Sequence, residues 1–121
     1  MAVELDVERT HVEVQFTGWD RVWALRRGAR VPIDHVTAVH VDDRAVAVST
    51  LRRRIAGSWI PRRLAAGLFA TKGGGRQLWC VHRAPRVLVV DLEHERWQRL
   101  VLEVPDPTGA AAWVEAAMPR A

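Results

Sequence analysis

Apolar and polar residues alternate along most of the chain. The segments VELDVE (residues 3–8) and HVEVQF (residues 11–16) each place apolar side chains on one side and polar ones on the other. A period of two is typical of antiparallel strands with one buried face. Seven further segments predict strands, although we expect some neighbours to merge or to be loops: 29–33, 36–41, 45–49, 67–71, 77–82, 86–92 and 98–104. The turn sequences between them predict an all-β sandwich or small barrel.

Two segments have helical spacing instead. TGWDRVWALRR predicts a short α or 3₁₀ helix after the first hairpin, because Trp19 and Trp23 are four residues apart. DPTGAAAWVEAAMPR predicts a longer helix, with Asp106 as its cap and Pro107 at its first position. We expect an apolar stripe to pack this amphipathic helix onto the sheets: Ala110, Trp113, Val114, Ala117 and Met118.

Length and composition predict an ordinary globular protein. The 121 residues are expected to form one domain over residues 1–121 that buries its own core. The single cysteine, Cys80, excludes an internal disulfide and favours a cytoplasmic location. The start has no signal-peptide pattern, and no apolar run approaches the roughly 20 residues of a membrane-spanning helix.

Charge is distributed unevenly along the chain. Ten basic residues and no acidic residue lie between Arg44 and Arg86, whereas the remaining eight basic and fourteen acidic residues give a balance of −6. If the basic segment stays on one face of the fold, it creates a positive potential there. Within this segment, residues 52–63 predict a long connection and KGGGR a flexible hairpin tip.

Two stretches cover more than half of the chain: FTGWDRVWALRRGARVPIDHVTAVHVD and AGLFATKGGGRQLWCVHRAPRVLVVDLEHERWQRLVLEVPDP. Their order resembles the pleckstrin-homology-like (PH-like) domains of actinobacteria. In that family a short helix follows the first hairpin, VP leads into a V..V.V strand, and RLVLEV.DP opens the last helix. The resemblance implies two roughly orthogonal antiparallel sheets, forming a sandwich or barrel that the C-terminal helix closes at one corner.

The same resemblance implies little about activity, because bacterial members mostly lack an assigned ligand. In eukaryotic relatives, basic residues that flank the first hairpin bind inositol phosphates. The corresponding hairpin here, DVERTHVEV, contains Arg9 as its one arginine among several acids. The lipid-binding pattern is therefore not matched.

No motif in the sequence assembles a catalytic or metal site. KGGGRQL lacks the Lys-Ser/Thr pair and the following helix of a phosphate-binding loop, so it predicts a glycine turn. Cys80 and the scattered histidines lack the spacing of a metal site, and no serine lies in a GxSxG motif. We expect a non-catalytic protein with no cofactor and no metal.

The residues that we expect to contact a partner lie in the basic segment: Arg52, Arg53, Arg54, Trp59, Arg62, Arg63, Lys72 and Arg76. One interpretation is a solvated face that balances the acidic first hairpin, with Trp59 filling a core under a loop. A second is a surface for an acidic protein, such as the ELDVE edge of another copy. A third is an anionic ligand, namely a lipid headgroup, phosphate or nucleic acid, bound through residues 52–76.

Trp and Arg are both enriched at protein interfaces. We therefore expect a binding or scaffolding module that acts through protein–protein interaction or self-association, with the anionic ligand as the alternative.

Overall fold

A computed structural model describes residues 3–18, 24 and 28–118. The first three strands form a small antiparallel sheet in the order β1-β2-β3. They are β1 (Val3–Val7), β2 (His11–Phe16) and β3 (Gly28–Pro32). A single 3₁₀ turn, Ile33–His35, then leads into the second sheet.

The second sheet has six strands and is named the large sheet. Its members are β4 (Val36–Asp43), β5 (Leu51–Ile60), β6 (Leu64–Thr71), β7 (Arg76–Val81), β8 (Arg86–Leu92) and β9 (Arg99–Leu102). Their order across the sheet is β4-β8-β9-β7-β6-β5. Neighbouring strands are antiparallel except β7 and β9, which run parallel. Helix α1 (Arg44–Val48) connects β4 to β5, and helix α2 (Pro107–Ala117) follows β9.

The main core lies between the small sheet, one face of the large sheet and α2. Alternation along β2 turns Val12, Val14 and Phe16 into this core, and none of them is more than 2% exposed. Val3 of β1 is buried in the same cluster, while Glu4 faces solvent. The predicted half-buried strands of the first hairpin are therefore confirmed.

The opposite face of the large sheet buries a second apolar cluster. Its centre is Trp79, which has no exposed surface and packs among valines of β7, β8 and β9. Ala47 of α1 and Leu51 at the start of β5 belong to this cluster, and Trp59 packs against it while half-buried. The large sheet is therefore apolar on both faces near its middle.

Eight of the nine predicted segments overlap observed strands, and the prediction over residues 45–49 is wrong. That segment belongs to α1. The helical turn directs Ala47 into the second cluster, where Leu51, the first residue of β5, joins it. The same turn leaves Val46 51% exposed, which the alternation of alanine and valine does not indicate.

The predicted long connection over residues 52–63 is also wrong, because most of it is strand β5. This strand lies at the edge of the large sheet and pairs with β6 alone. Its register shifts between Leu51 and Arg53 and again between Arg54 and Ala56. These two register shifts interrupt the alternation of apolar and polar residues that would have identified a strand.

Helix α2 begins as predicted. Asp106 accepts a hydrogen bond from the backbone N–H of Gly109 at 3.0 Å, and Pro107 occupies the first turn. Val114 is fully buried, but Trp113 is 47% exposed, so its predicted packing onto the sheets is wrong. Consecutive helical residues differ by about 100° in direction. With Val114 at the centre of the buried stripe, Trp113 points to the side.

The predicted helix within residues 17–27, with Trp19 and Trp23, lies mostly outside the described residues. The parallel pairing of β7 with β9 departs from the purely antiparallel sheets that the family resemblance implies. Neither α1, α2 nor any other helix within residues 3–18, 24 and 28–118 has the length and hydrophobicity needed to cross a bilayer.

Candidate functional site

The three consecutive arginines lie on the exposed edge of β5. Arg53 pairs with Ala70 and Arg54 with Phe69, so these two side chains leave the sheet on opposite faces. All three arginines are exposed. Charged side chains on an edge strand discourage pairing with another sheet. The arginine run therefore lies on both faces of an edge strand, and it does not form one binding face.

Arg62 and Arg63 lie in the turn between β5 and β6. The backbone N–H of Arg63 donates to the carbonyl of Ile60 at 3.0 Å, with Pro61 as the first central residue of the turn. Arg62 is the second and has φ of 65°. This is the pattern of a type II turn, in which glycine is the usual residue at that position. Ile60 is 50% exposed at the same turn.

Lys72 and Arg76 lie at the opposite end of β6 from this turn. Strand β6 has eight residues, which corresponds to roughly 26 Å. Both Arg76 and Arg53 pair with Ala70, one from each neighbouring strand, so they share a face about 10 Å apart. The structure thus brings Arg53 near Arg76 and places Trp59, Arg62 and Arg63 at the far end, so the eight predicted residues do not converge on one surface.

The KGGGR segment forms the turn between β6 and β7, as predicted. The backbone N–H of Gly74 donates to the carbonyl of Thr71 at 3.0 Å, and the N–H of Lys72 donates to the carbonyl of Thr50 at 3.1 Å. No helix follows the glycines, because Arg76 begins β7.

A second group of basic residues gathers where β4, β5 and β7 end and β6 and β8 begin. We name this region the basic end of the large sheet, and its arginines are Arg44, Arg62, Arg63, Arg83 and Arg86. Glu103 accepts hydrogen bonds from the backbone N–H groups of His82 and Ala84 at 3.0 and 2.9 Å. Its carboxylate therefore holds the loop that connects β7 to β8.

A cavity of about 380 Å³ opens at the basic end, between α1, the β5–β6 turn and the end of β7. Its polar lining comes from Arg44, Arg62 and His82, and no acidic residue lines it. Trp59 and Trp79 form part of the apolar wall. The ring of Phe69 contacts both indoles, with its centroid 5.6 Å from that of Trp59 and 6.1 Å from that of Trp79. These edge-to-face contacts fix the position of Trp59, which is only half-buried.

Arg44 is the most unusual residue of this cavity. Its backbone N–H donates to the carbonyl of Pro85 at 2.8 Å, which fixes the start of α1 beside β8. Its side-chain Nε is buried and has no hydrogen-bond partner among the described residues. A buried charged donor without an acceptor is unfavourable, and such groups often mark a missing water, ion or ligand.

Sequence reasoning did not identify Arg44 or His82 as members of a site. The signal for Arg44 was its position directly after Asp42 and Asp43, at the start of the acid-free segment.

A surface of opposite charge lies between β1, β2 and α2. We name it the acidic groove; its volume is about 670 Å³, and the charged residues that line it are Glu4, Asp6, Glu13 and Asp106. No basic residue lines this groove. Trp113 of α2, which was predicted to pack onto the sheets, instead forms one wall of this groove and is 47% exposed.

The described residues include no cluster of three or more His, Cys, Asp or Glu side chains placed to hold a metal ion. His35 Nδ1 contacts Glu95 Oε2 at 2.5 Å, and the ring of His94 lies 5.8 Å from that of His35. Cys80 is buried in the main core. The contact between His35 and Glu95, together with the ring of His94, joins the 3₁₀ turn to the loop between β8 and β9.

A scan against protein-family models finds no match for this chain. Neither a search of curated proteins nor a search of solved structures finds a similar protein. Function is therefore inferred from the geometry of the described residues.

Proposed function

We propose that this protein is a non-catalytic, PH-like binding module that associates with other copies of itself. The observation that carries the proposal is the match between two exposed surfaces of one chain. One is the β5–β6 turn, residues 60–63, and the other is the acidic groove. The PH-like assignment rests on the segment order in the sequence, and the two sheets with a C-terminal helix support it.

Each surface presents one exposed apolar side chain. Among the described residues, the large apolar side chains that are exposed are Val46, Ile60 and Trp113. Ile60 belongs to the turn and Trp113 to the groove. Exposed tryptophan and arginine side chains are typical of the energetically important parts of protein interfaces.

The charges of the two surfaces are complementary. The turn carries Arg62 and Arg63, whereas the groove carries four carboxylates and no cation. An arginine that enters the groove would also reach the face of Trp113, where a cation–π contact contributes roughly 0.5–2 kcal/mol. Charge complementarity of this kind directs orientation and raises the association rate.

The proposed contact joins two different surfaces of the chain, turn to groove, and we propose that it is head to tail. A heterologous contact either closes into a ring or extends into an open chain of copies. We therefore expect assemblies whose size rises with protein concentration and falls as salt screens the charges.

Two complementary variants test this contact. The turn variant carries Ile60→Asp and Arg63→Glu, and the groove variant carries Glu4→Lys and Trp113→Ala; all four residues are exposed. Each variant alone lacks one half of the contact and should be monomeric by light scattering. An equimolar mixture retains one intact contact and should form a 1:1 dimer that cannot extend. The wild-type assemblies should dissociate as NaCl rises to about 0.5 M.

Two results would contradict the proposal. One is a wild-type protein that stays monomeric at every concentration and salt tested. The other is a mixture of the two variants that remains monomeric under conditions in which the wild type associates.

A further inference from the structure

The cavity at the basic end has the features of a small-molecule site, and its lining shares Ile60, Pro61 and Arg62 with the turn that we propose for self-association. Its volume of about 380 Å³ lies within the usual range for ligand pockets, roughly 300–1,000 Å³. We propose that this cavity binds a small carboxylate whose apolar body packs against Trp59 and whose charged head is bound by Arg44 and Arg62.

Arg44 is the first reason for proposing a ligand with a negatively charged head. Its Nε is buried without an acceptor among the described residues, and the cavity that it lines contains no carboxylate of the protein. Arginine presents several N–H donors in one plane, a geometry that matches the two oxygens of a carboxylate. A carboxylate in the cavity would pair with the guanidinium group of Arg44 and compensate its charge.

Arg62 gives a second, independent reason. It lines the same cavity from the β5–β6 turn, and its φ of 65° is unfavourable for any residue with a Cβ. Strained backbone positions concentrate at binding sites, where the side chain has a use that glycine could not serve. Here that use is a second guanidinium across the cavity from α1.

The other residues that line the cavity are the reason for proposing a ligand with an apolar body. Val48, Trp59, Pro61 and Leu64 contribute apolar surface, and the edge-to-face contact with Phe69 holds the Trp59 ring in place. An inorganic anion would satisfy the arginines but leave this wall exposed to water. A ligand with a flat or aliphatic body buries it, at about 25 cal/mol for each Å² of apolar surface covered.

The test uses benzoate as the probe, with benzamide as its uncharged analogue and inorganic phosphate as an anion without an apolar body. Amide and indole resonances of the ¹⁵N-labelled protein are followed during each titration. Benzoate should give saturable shifts at Trp59 and Val81, and benzamide and phosphate should each bind at least tenfold more weakly, about 1.4 kcal/mol. Equal binding of benzamide overturns the role of charge, and equal binding of phosphate overturns the role of the apolar body.

Two arginine variants assign the contact, and a third serves as the matched control. Arg44→Gln and Arg62→Gln should each weaken benzoate binding at least threefold, whereas Arg83→Gln, at the same end of the large sheet but outside both the cavity lining and the proposed self-contact, should leave it unchanged. If Arg44→Gln perturbs resonances far from the cavity, Arg62→Gln alone decides, because Arg62 is exposed on a turn. Unchanged affinity in Arg62→Gln, or no saturable shift in the wild type, overturns the proposal.

This inference is separable from the proposed self-association. The groove variant alters Glu4 and Trp113, neither of which lines the cavity, and it leaves the β5–β6 turn free of the proposed self-contact, so it should bind benzoate at least as tightly as the wild type. Failure of one proposal therefore leaves the other standing.

Discussion

Replacing Arg62 with glycine should make the protein more stable. Arg62 is exposed, has φ of 65°, and has no ion pair with any described residue. Glycine adopts this left-handed conformation without the clash between Cβ and the neighbouring carbonyl. Arg63→Gly is the matched control, because Arg63 lies in the same turn and does not have a positive φ.

The expected magnitudes follow from two opposing terms. A left-handed conformation costs a residue with a Cβ about 1–2 kcal/mol, and this cost disappears in Arg62→Gly. Glycine in turn loses about 0.5–1 kcal/mol of chain entropy on folding, in either variant. Arg62→Gly should therefore raise the free energy of unfolding by about 0.5–1 kcal/mol, whereas Arg63→Gly should lower it by a similar amount.

Urea unfolding followed by tryptophan fluorescence measures both variants against the wild type, and an unchanged m-value validates the comparison. The two variants should differ by about 1–2 kcal/mol in free energy of unfolding. If the Arg62→Gly variant is no more stable than the Arg63→Gly variant, the backbone of the turn is not strained at Arg62. That result would also remove one of the two reasons for assigning a ligand to the cavity.

Two further predictions concern stability. Gly67→Ala should lower the free energy of unfolding by more than about 1 kcal/mol, because Gly67 has φ of 126° and an added Cβ would overlap the backbone of β5. Gly73→Ala is the control: an added Cβ there has no neighbour nearer than Thr71 Oγ1 at 4.0 Å, so the free energy of unfolding should change by no more than about 0.5 kcal/mol. Asp106→Ala should cost about 1 kcal/mol in thermal unfolding by loss of the α2 cap, and equal loss in Glu115→Ala, on the same helix, would contradict this cause.

The strands that could be predicted from the sequence are those with one buried face and one exposed face. In β2, side chains that point inward are apolar and those that point outward are polar, so the period of two is visible. The cap of α2 was equally predictable, because Asp106 and Pro107 have a local preference for that position. These features depend on neighbouring residues and on a single interface.

The errors occur where distant contacts decide the conformation. In β5 the pairing with β6 imposes an extended conformation on exposed arginines, and its two register shifts remove the alternation of apolar and polar residues. In α1 the burial of Ala47 beside the large sheet overrides the strand preference of Val46 and Val48. Neither effect is encoded within a short window of sequence.

The candidate site was predicted only in part for the same reason. Trp59 and Arg62 were identified from the basic segment, because charge and residue type are visible in the sequence. Arg44 and His82 were not, since β4 and β7 bring them to the cavity from other parts of the chain. The exposure of Trp113 depended on which face of α2 meets the sheet. The apolar stripe in the sequence includes both Trp113 and Val114, and it does not show which of the two is at the centre of the buried face.

Strand β9 has a consequence for how the chain is made. It lies between β8 and β7, although it follows both in the sequence. Until residues 99–102 have left the ribosome, the β4–β8 pair and the β5–β6–β7 unit have no strand to join them. The unpaired edges of β8 and β7 remain available for wrong pairing during that interval. The four residues of the shortest strand therefore determine when synthesis yields a completed sheet.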